Sequence, residues 1–277
     1  MKKRLPTPSV LDSSDLISLC VSALGNARTA YRLSVLRLVG SFATVALLVA
    51  CKTHAAIPDD PRPTLLLAPV ARAALCVTKG ALGAAVVVPT FRAVATGTRG
   101  DAASLAFTYR GDSETTRALA SGQIRRQLGL KLRAANGCNL VYVMWRLDPR
   151  PELEVSVKRN PGKRTHRECG ADGYTKVVPV RHGAVPALTA GAAHTLHAEI
   201  AGDVLAAWID GSLAWVGELP DAARDMVGPA GVRSDNVAFE LTQLSAVAAI
   251  AGGSGEAPVD PKAAPKCGSD DPDADEP

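Results

Sequence analysis

The sequence predicts an all-β protein, an antiparallel β-sandwich flanked by two non-globular ends. Three observations carry this. Gly202-Asp203 and Asp210-Gly211 are two-residue hairpin signals between short alternating runs, the first suited to a type II′ turn and the second to a type I′ turn. Asn136-Gly137 is a third such signal between two further runs. At each turn the implied pairing puts apolar partners on one face, and a one-residue slip would send the whole apolar set to the other.

The chain begins with a segment that does not belong to the sandwich. Leu38–Ala50 reads LVGSFATVALLVA, uncharged, with Arg32 and Arg37 before it. It is too short for a spanning helix, which needs about 20 residues. A basic flank, an apolar run and small residues at its end fit a secretory signal. Residues 1–31 suit such a signal poorly, so translation is expected to start downstream of Met1, near Val35 or Leu36. The run closes on Leu48-Val49-Ala50-Cys51, which resembles the bacterial lipobox. That resemblance implies that residues 1–50 are removed and that Cys51 is lipidated. Several acyl chains anchor stably in a membrane where one would be marginal. Lys52, in place of an aspartate after the cysteine, implies the outer membrane by the sorting pattern of that group. Residues 51–72 then read as a Pro- and Asp-containing tether.

Charge narrows the partners. The formal net charge is +4, but residues 1–50 hold six basic and two acidic side chains, and the tail from Gly252 holds seven acids against two lysines. The middle of the chain is mildly basic and has no basic stripe interleaved with aromatics, so nucleic acid is not expected as a partner. Residues 248–277 are Gly/Pro-rich and acidic and are expected to be disordered. Residues 73–247 have the length of one domain.

Within that domain, Pro69, Gly80 and Gly83 break residues 63–85 into loops with a short strand. Phe91–Ala95 and Leu105–Tyr109 read as strands, and Ser113–Gln123 as a polar loop. The Asn136-Gly137 turn pairs Leu132 with Val141, Leu130 with Val143 and Leu128 with Trp145. A five-residue loop from Asp148 to Glu152 then pairs Leu147 with Leu153, Trp145 with Val155 and Val143 with Val157, and sets Arg146 opposite Glu154. A long loop follows Lys158, then a short strand at Tyr174–Val180. The turn at Gly202-Asp203 pairs Ile200 with Leu205, Ala198 with Ala207 and Leu196 with Ile209. The turn at Asp210-Gly211 pairs Ala207 with Ala214 and Leu205 with Val216. The opposite face of this meander carries Thr195, His197, Glu199, Trp208 and Trp215. A turn region from Gly228 to Gly231 leads into a last strand near Val237–Leu244.

The stretches HTLHAEIAGDVLAAWIDGSLAW and GPAGVRSDNVAFELTQL resemble the C-terminal half of concanavalin A-like lectin/glucanase jelly rolls. The resemblance spans roughly residues 86–245 and is close from His194 onward. It implies a jelly-roll sandwich in a family that includes carbohydrate-binding modules, laminin-G-like interaction domains and glycosidases. The fold does not choose among them.

The chemistry-bearing residues narrow the choice. Retaining glucanases of this fold carry Glu-x-Asp-x-x-Glu on one strand, and this chain has no such pattern. Its nearest approach is Glu152-Leu153-Glu154, where a salt bridge from Arg146 to Glu154 would hold that carboxyl too acidic for a general acid. Gly111-Asp112-Ser113 resembles the nucleophile block of GDSL-type esterases, but no Asp-x-x-His follows it. His194 and His197 point to opposite faces of a strand and make no metal pair. His166, Cys169 and Cys138 would lack a fourth zinc ligand. Thus no catalytic residue, metal or cofactor is expected.

With Cys20 removed and Cys51 lipidated, Cys76, Cys138, Cys169 and Cys267 remain, which allows three complete pairings. Cys138 at a hairpin tip and Cys169 in a long loop favour a Cys138–Cys169 disulfide, leaving the pairing of Cys76 and Cys267 open.

Two surfaces are ligand candidates. One is the polar face of the central meander, with Lys131, Arg133, Tyr142, Arg146 and Glu154. The other is the aromatic pair Trp208 and Trp215. Binding is expected at the polar face, with Tyr142 and Arg146 removable without loss of the fold. The expected function is a lipid-anchored envelope protein binding a glycan or an envelope partner. A carbohydrate-active enzyme and a purely structural envelope protein are the alternatives.

Overall fold

In a computed structural model, residues 60–249 form the described part of the protein. The expected signal segment, Cys51 with the tether as far as residue 59, and residues 250–277 of the expected acidic tail lie outside the described residues.

Fourteen strands build two antiparallel seven-stranded sheets. In chain order they are β1 (Ala68–Pro69), β2 (Leu75–Lys79), β3 (Thr90–Ala95), β4 (Thr98–Asp112), β5 (Gln127–Asn136), β6 (Asn139–Arg146), β7 (Glu152–Lys158), β8 (Tyr174–Val177), β9 (Arg181–His182), β10 (Ala193–Ala201), β11 (Val204–Ile209), β12 (Ser212–Glu218), β13 (Gly231–Asp235) and β14 (Val237–Ala248). Sheet A runs β1-β14-β4-β10-β11-β12-β9, and sheet B runs β2-β3-β13-β5-β6-β7-β8. This is the jelly-roll sandwich the sequence predicts.

Alternation along the strands fills the space between the sheets. Leu105, Phe107, Leu196, Ala198, Leu205 and Phe239 of sheet A meet Phe91, Leu128, Leu130, Val143, Trp145 and Val155 of sheet B in one continuous core. Each such side chain contributes roughly 1.5–3 kcal/mol on burial.

The hairpins test the predicted registers. Leu196–Ile209, Ala198–Ala207 and Ile200–Leu205 pair as expected across the Gly202 turn, where Gly202 takes φ +61°. Leu128–Trp145, Leu130–Val143 and Leu132–Val141 also pair as expected. Beyond Leu132, however, a bulge shifts the ladder, so that Asn136 pairs with Asn139. Arg133 sits in that bulge with φ +45°.

Two other registers are corrected. The loop after β6 has five residues, but they are Leu147–Pro151, so Arg146 pairs with Glu152, Trp145 with Leu153 and Val143 with Val155. The Leu147 N–H donates to the Arg126 carbonyl at 2.9 Å, which takes Leu147 out of the β6–β7 ladder. The faces survive because the shift is even.

The second correction lies in β12. Asp210 and Gly211 adopt φ +50° and +79°, as a type I′ turn requires. After Trp208–Leu213 the ladder slips, and Ala207 pairs with Trp215 instead of Ala214. Ala214 and Trp215 together oppose one residue, and both enter the core. The bulge thus buries an indole that strict alternation would have left on the outer face.

The sequence reading also took Gly228–Gly231 as a turn into the last strand, and missed β13 in between. This strand leaves sheet A's side of the chain and inserts between β3 and β5 of sheet B.

The outer face of sheet A is covered by chain from the tether side. Glu199, only 4% exposed, accepts from the backbone N–H of Thr64 at 2.9 Å and of Leu65 at 3.1 Å, and from the Thr64 hydroxyl. Trp208 is buried on this same face with Ala206 and Val216, beside the His197 ring at 5.2 Å.

Candidate functional site

Strand order in sheet B lays out three outward-facing rows. The middle row runs Arg92, Arg233, Gly129, Met144 and Glu154. On one side of it lie Thr90, Asp235, Gln127, Arg146 and Glu152. On the other lie Gly231, Lys131, Tyr142, Ser156 and Lys176. Gly129 has to be glycine, since a Cβ there would fall 2.1 Å from the Val143 carbonyl oxygen. With no side chain in the centre of the middle row, Arg233 has room to reach across β5.

A cavity of about 340 Å³ opens over these rows. Its floor includes Gln127, Tyr142, Met144 and Arg233, and Glu154, Ser156 and Lys176 continue it outward. One wall is the loop Leu119–Gln123 with Arg125. The other is the segment after β7, with His166, Gly170, Ala171 and Tyr174. This second wall is fixed locally. A one-turn helix, α1 (His166–Cys169), starts with a capping box in which Thr165 and Glu168 bond each other's backbone. The Cys138–Cys169 disulfide ties the wall to the β5–β6 hairpin, as the sequence reading expected. Because Cys169 is in this bond, it is no zinc ligand. Cys76 is disulfide-bonded as well.

The floor is an ion-pair network taken out of water. Asp235, 1% exposed, receives Arg92 Nη2 at 2.7 Å, Arg233 Nε at 2.9 Å and Gln127 Nε2 at 2.7 Å. Burial alone would raise its pKa, but Arg233 and Arg92 outweigh it and hold Asp235 at about 2. The Arg233 guanidinium also lies 4.7 Å from the Tyr142 ring centroid, a cation–π contact. Tyr174 stacks on Tyr142 with centroids 6.1 Å apart and planes at 18°. Tyr142 is 5% exposed and Tyr174 42%, so the pair presents one ring to the cavity and keeps the other beneath it. Burial would push the Tyr174 hydroxyl up, but Arg233 and Lys158 pull it below its usual value. The Gln127 amide oxygen is buried at the floor with no hydrogen-bond partner.

Glu154 is held by three cations: Arg125 at 3.1 Å, Arg146 at 2.9 Å and Lys176 at 3.0 Å. Burial raises its pKa, yet Lys176, Arg125 and Arg146 together bring it below the usual carboxylate range. The Arg146–Glu154 pair expected from sequence exists, although Arg146 stands opposite Glu152 and bonds both glutamates.

Of the residues the sequence proposed, Tyr142 and Glu154 line the cavity, and Arg146 braces Glu154 from the side. Lys131 lies in the Tyr142 row but is 4% exposed and outside the lining. Arg133 does not join them: the bulge turns it to Asp101, 2.8 Å away, and to the Ala223 carbonyl. The Trp208–Trp215 platform does not form either, since Trp208 is buried on the outer face of sheet A and Trp215 in the core. Gln127, Tyr174, Lys176 and the Arg92–Asp235–Arg233 network were missed. The only signal for β13 was the weak alternation of Val232 and Ser234 with Arg233 and Asp235.

The chain is similar to solved structures at low sequence identity. The carbohydrate-binding module CBM66 from Bacillus subtilis is 8% identical, with a TM-score of 0.44, covering 62% of this chain and 95% of that one. A tetrameric galectin from the ball sponge Cinachyrella sp. is 15% identical, with a TM-score of 0.37, covering 57% and 99%. The Crh5 transglycosylase in complex with NAG is 13% identical, with a TM-score of 0.39, covering 67% and 84%. No protein-family model matches the chain, and no curated protein matches it in sequence.

Proposed function

We propose that this chain is a glycan-binding module held at a bacterial cell envelope by a lipid on Cys51. The saccharide would sit in the sheet-B cavity. The observation that carries this reading is the pairing of an accessible tyrosine ring, Tyr174 on Tyr142, with fixed polar groups around one pocket. Flat rings stack on sugar faces, while Gln127, Ser156, Arg125 and Lys176 offer donors and acceptors to hydroxyls. Binding is favoured over hydrolysis because the carboxyls of Glu154 and Asp235 are both held below the usual range. A glycosidase needs one carboxyl raised to act as acid.

The test is the full chain in detergent on a glycan array, with reducing-sugar release assayed alongside. Binding without release supports the module. Release would make the chain an enzyme, and silence in both would leave the structural role. The lipid anchor rests on Leu48-Val49-Ala50-Cys51, and Lys52 supports an outer-membrane address. A palmitate analogue should label the wild type and not Cys51→Ser; equal labelling would remove the anchor.

A further inference from the structure

The cavity is not electrically balanced. Arg125, Lys176 and Arg233 line it, and Glu154 is its only carboxylate among the described residues. Arg125 and Lys176 converge on that one group, and Arg146 beside them bridges it to Glu152. Below the floor the proportion repeats, with Arg92 and Arg233 sharing the single carboxylate of Asp235. Across the two clusters five cations, Arg92, Arg125, Arg146, Lys176 and Arg233, meet three carboxylates, Glu152, Glu154 and Asp235, and three of those cations line the cavity with Tyr174. The depressed Tyr174 hydroxyl reports the same positive field. A second observation points to a hydroxylated ligand. Gln127, 3% exposed, is part of the cavity lining; its Nε2 is committed to Asp235, and its enclosed Oε1 has no donor. A buried acceptor left open costs about 1–3 kcal/mol, and a rotation of the Gln127 amide towards the cavity would let a ligand O–H recover it.

We infer that the cavity selects an acidic saccharide, a ring sugar bearing one anionic substituent that faces Arg125, Lys176 and Arg233 while a hydroxyl donates to Gln127. This rests on the reading of the cavity as a glycan site and names the class of glycan. A carboxylate on a uronic acid and a sulfate ester share the chemistry, and the measurement separates them.

Titration calorimetry of the full chain in detergent would compare tetragalacturonate, a sulfated cellotetraose and neutral cellotetraose at low and high salt. One or both acidic ligands should bind at least tenfold more tightly than the neutral one. Raising NaCl from about 0.05 to 0.5 M should erode that preference, because screening then acts over a few ångströms. Two substitutions give opposite signs. Lys176→Gln, at an exposed cation, should weaken the acidic ligand about two- to fivefold, and Glu154→Gln, which removes the competing carboxylate, should tighten it by a similar factor. Thermal melts of both variants confirm that the fold is kept. Neutral and acidic ligands binding equally, or Glu154→Gln failing to tighten the acidic one while folded, would overturn the acidic preference and leave the glycan reading standing. Failure of all three ligands, together with a silent array, would overturn the glycan reading itself.

Discussion

The guanidinium of Arg233 reaches the ring of Tyr142, 4.7 Å away, although β5 lies between their strands. It crosses where Gly129 leaves the row open. Tyr142 is therefore part of the floor's support, not a detachable contact. Tyr142→Ala should cost about 3–5 kcal/mol in urea unfolding, as large aromatic truncations in packed sites do. That outcome would replace the expectation that Tyr142 can be removed with the fold intact. Tyr174→Ala, at the exposed ring of the same stack, should keep its unfolding midpoint and lose ligand affinity at least tenfold.

Asp235 links stability to pH. Its folded pKa of about 2 lies below the unfolded value near 4, so its contribution is complete above the unfolded value and is lost as pH falls towards 2. The size is about 2 kcal/mol. Glu154, lowered in the same direction, adds to the same acid limb. Asp235→Asn leaves Arg92 and Arg233 buried without their anion and should cost about 3–5 kcal/mol at pH 7. Its stability between pH 5 and 2 should vary less steeply than that of the wild type. An unchanged acid limb would show that Asp235 is not the group responsible.

The two tryptophans of the C-terminal meander should behave alike in stability and neither should matter for binding. Trp215→Ala and Trp208→Ala each empty a buried site and should cost about 3–5 kcal/mol. Ligand titration of the folded fraction should match the wild type. A Trp208→Ala protein that melts normally and fails to bind would move the site to sheet A.

The disulfide should serve both stability and the site. Replacing Cys138 and Cys169 by serine opens a loop of about 30 residues and should cost about 2–4 kcal/mol in chemical denaturation. Cys169 sits in the cavity wall with His166, Gly170, Ala171 and Tyr174, so ligand affinity should fall with it. Reduction of the wild type should lower both at least as far, since it also breaks the disulfide of Cys76.

What could be read in advance followed turn chemistry. The β10–β11 register was legible because Gly202-Asp203 sits at the centre of matched alternating runs. The β5–β6 register holds over Leu128–Leu132 although the turn falls at Gly137-Cys138 and not at Asn136-Gly137, because the bulge after Leu132 offsets the difference. The β12 bulge was not, since its cause is the volume available to Trp215 in a core the sequence does not display. Arg133 fits the alternation on paper, and only the bulge beside the Gly228 loop takes it away. The floor was the least legible part. Arg92, Gln127 and Asp235 are far apart along the chain and meet through strand order alone. Arg233 and Asp235 look like surface residues until their mutual pairing is seen. A five-residue strand with a single large apolar side chain, Val232, gives little periodicity to detect.

The clamp of Glu199 on Thr64 and Leu65 has a directional consequence. Chain arriving from the N-terminal side meets the domain on sheet A, and the cavity opens on sheet B, behind the full thickness of the sandwich. A leash of the residues between Cys51 and Thr64 spans at most about 45 Å when fully extended. Were Cys51 to carry a lipid, that leash would limit how far the domain stands from the bilayer and still let it turn. The pocket would then be free to sweep the space around the anchor, since the attachment at Thr64 and Leu65 lies on the other sheet.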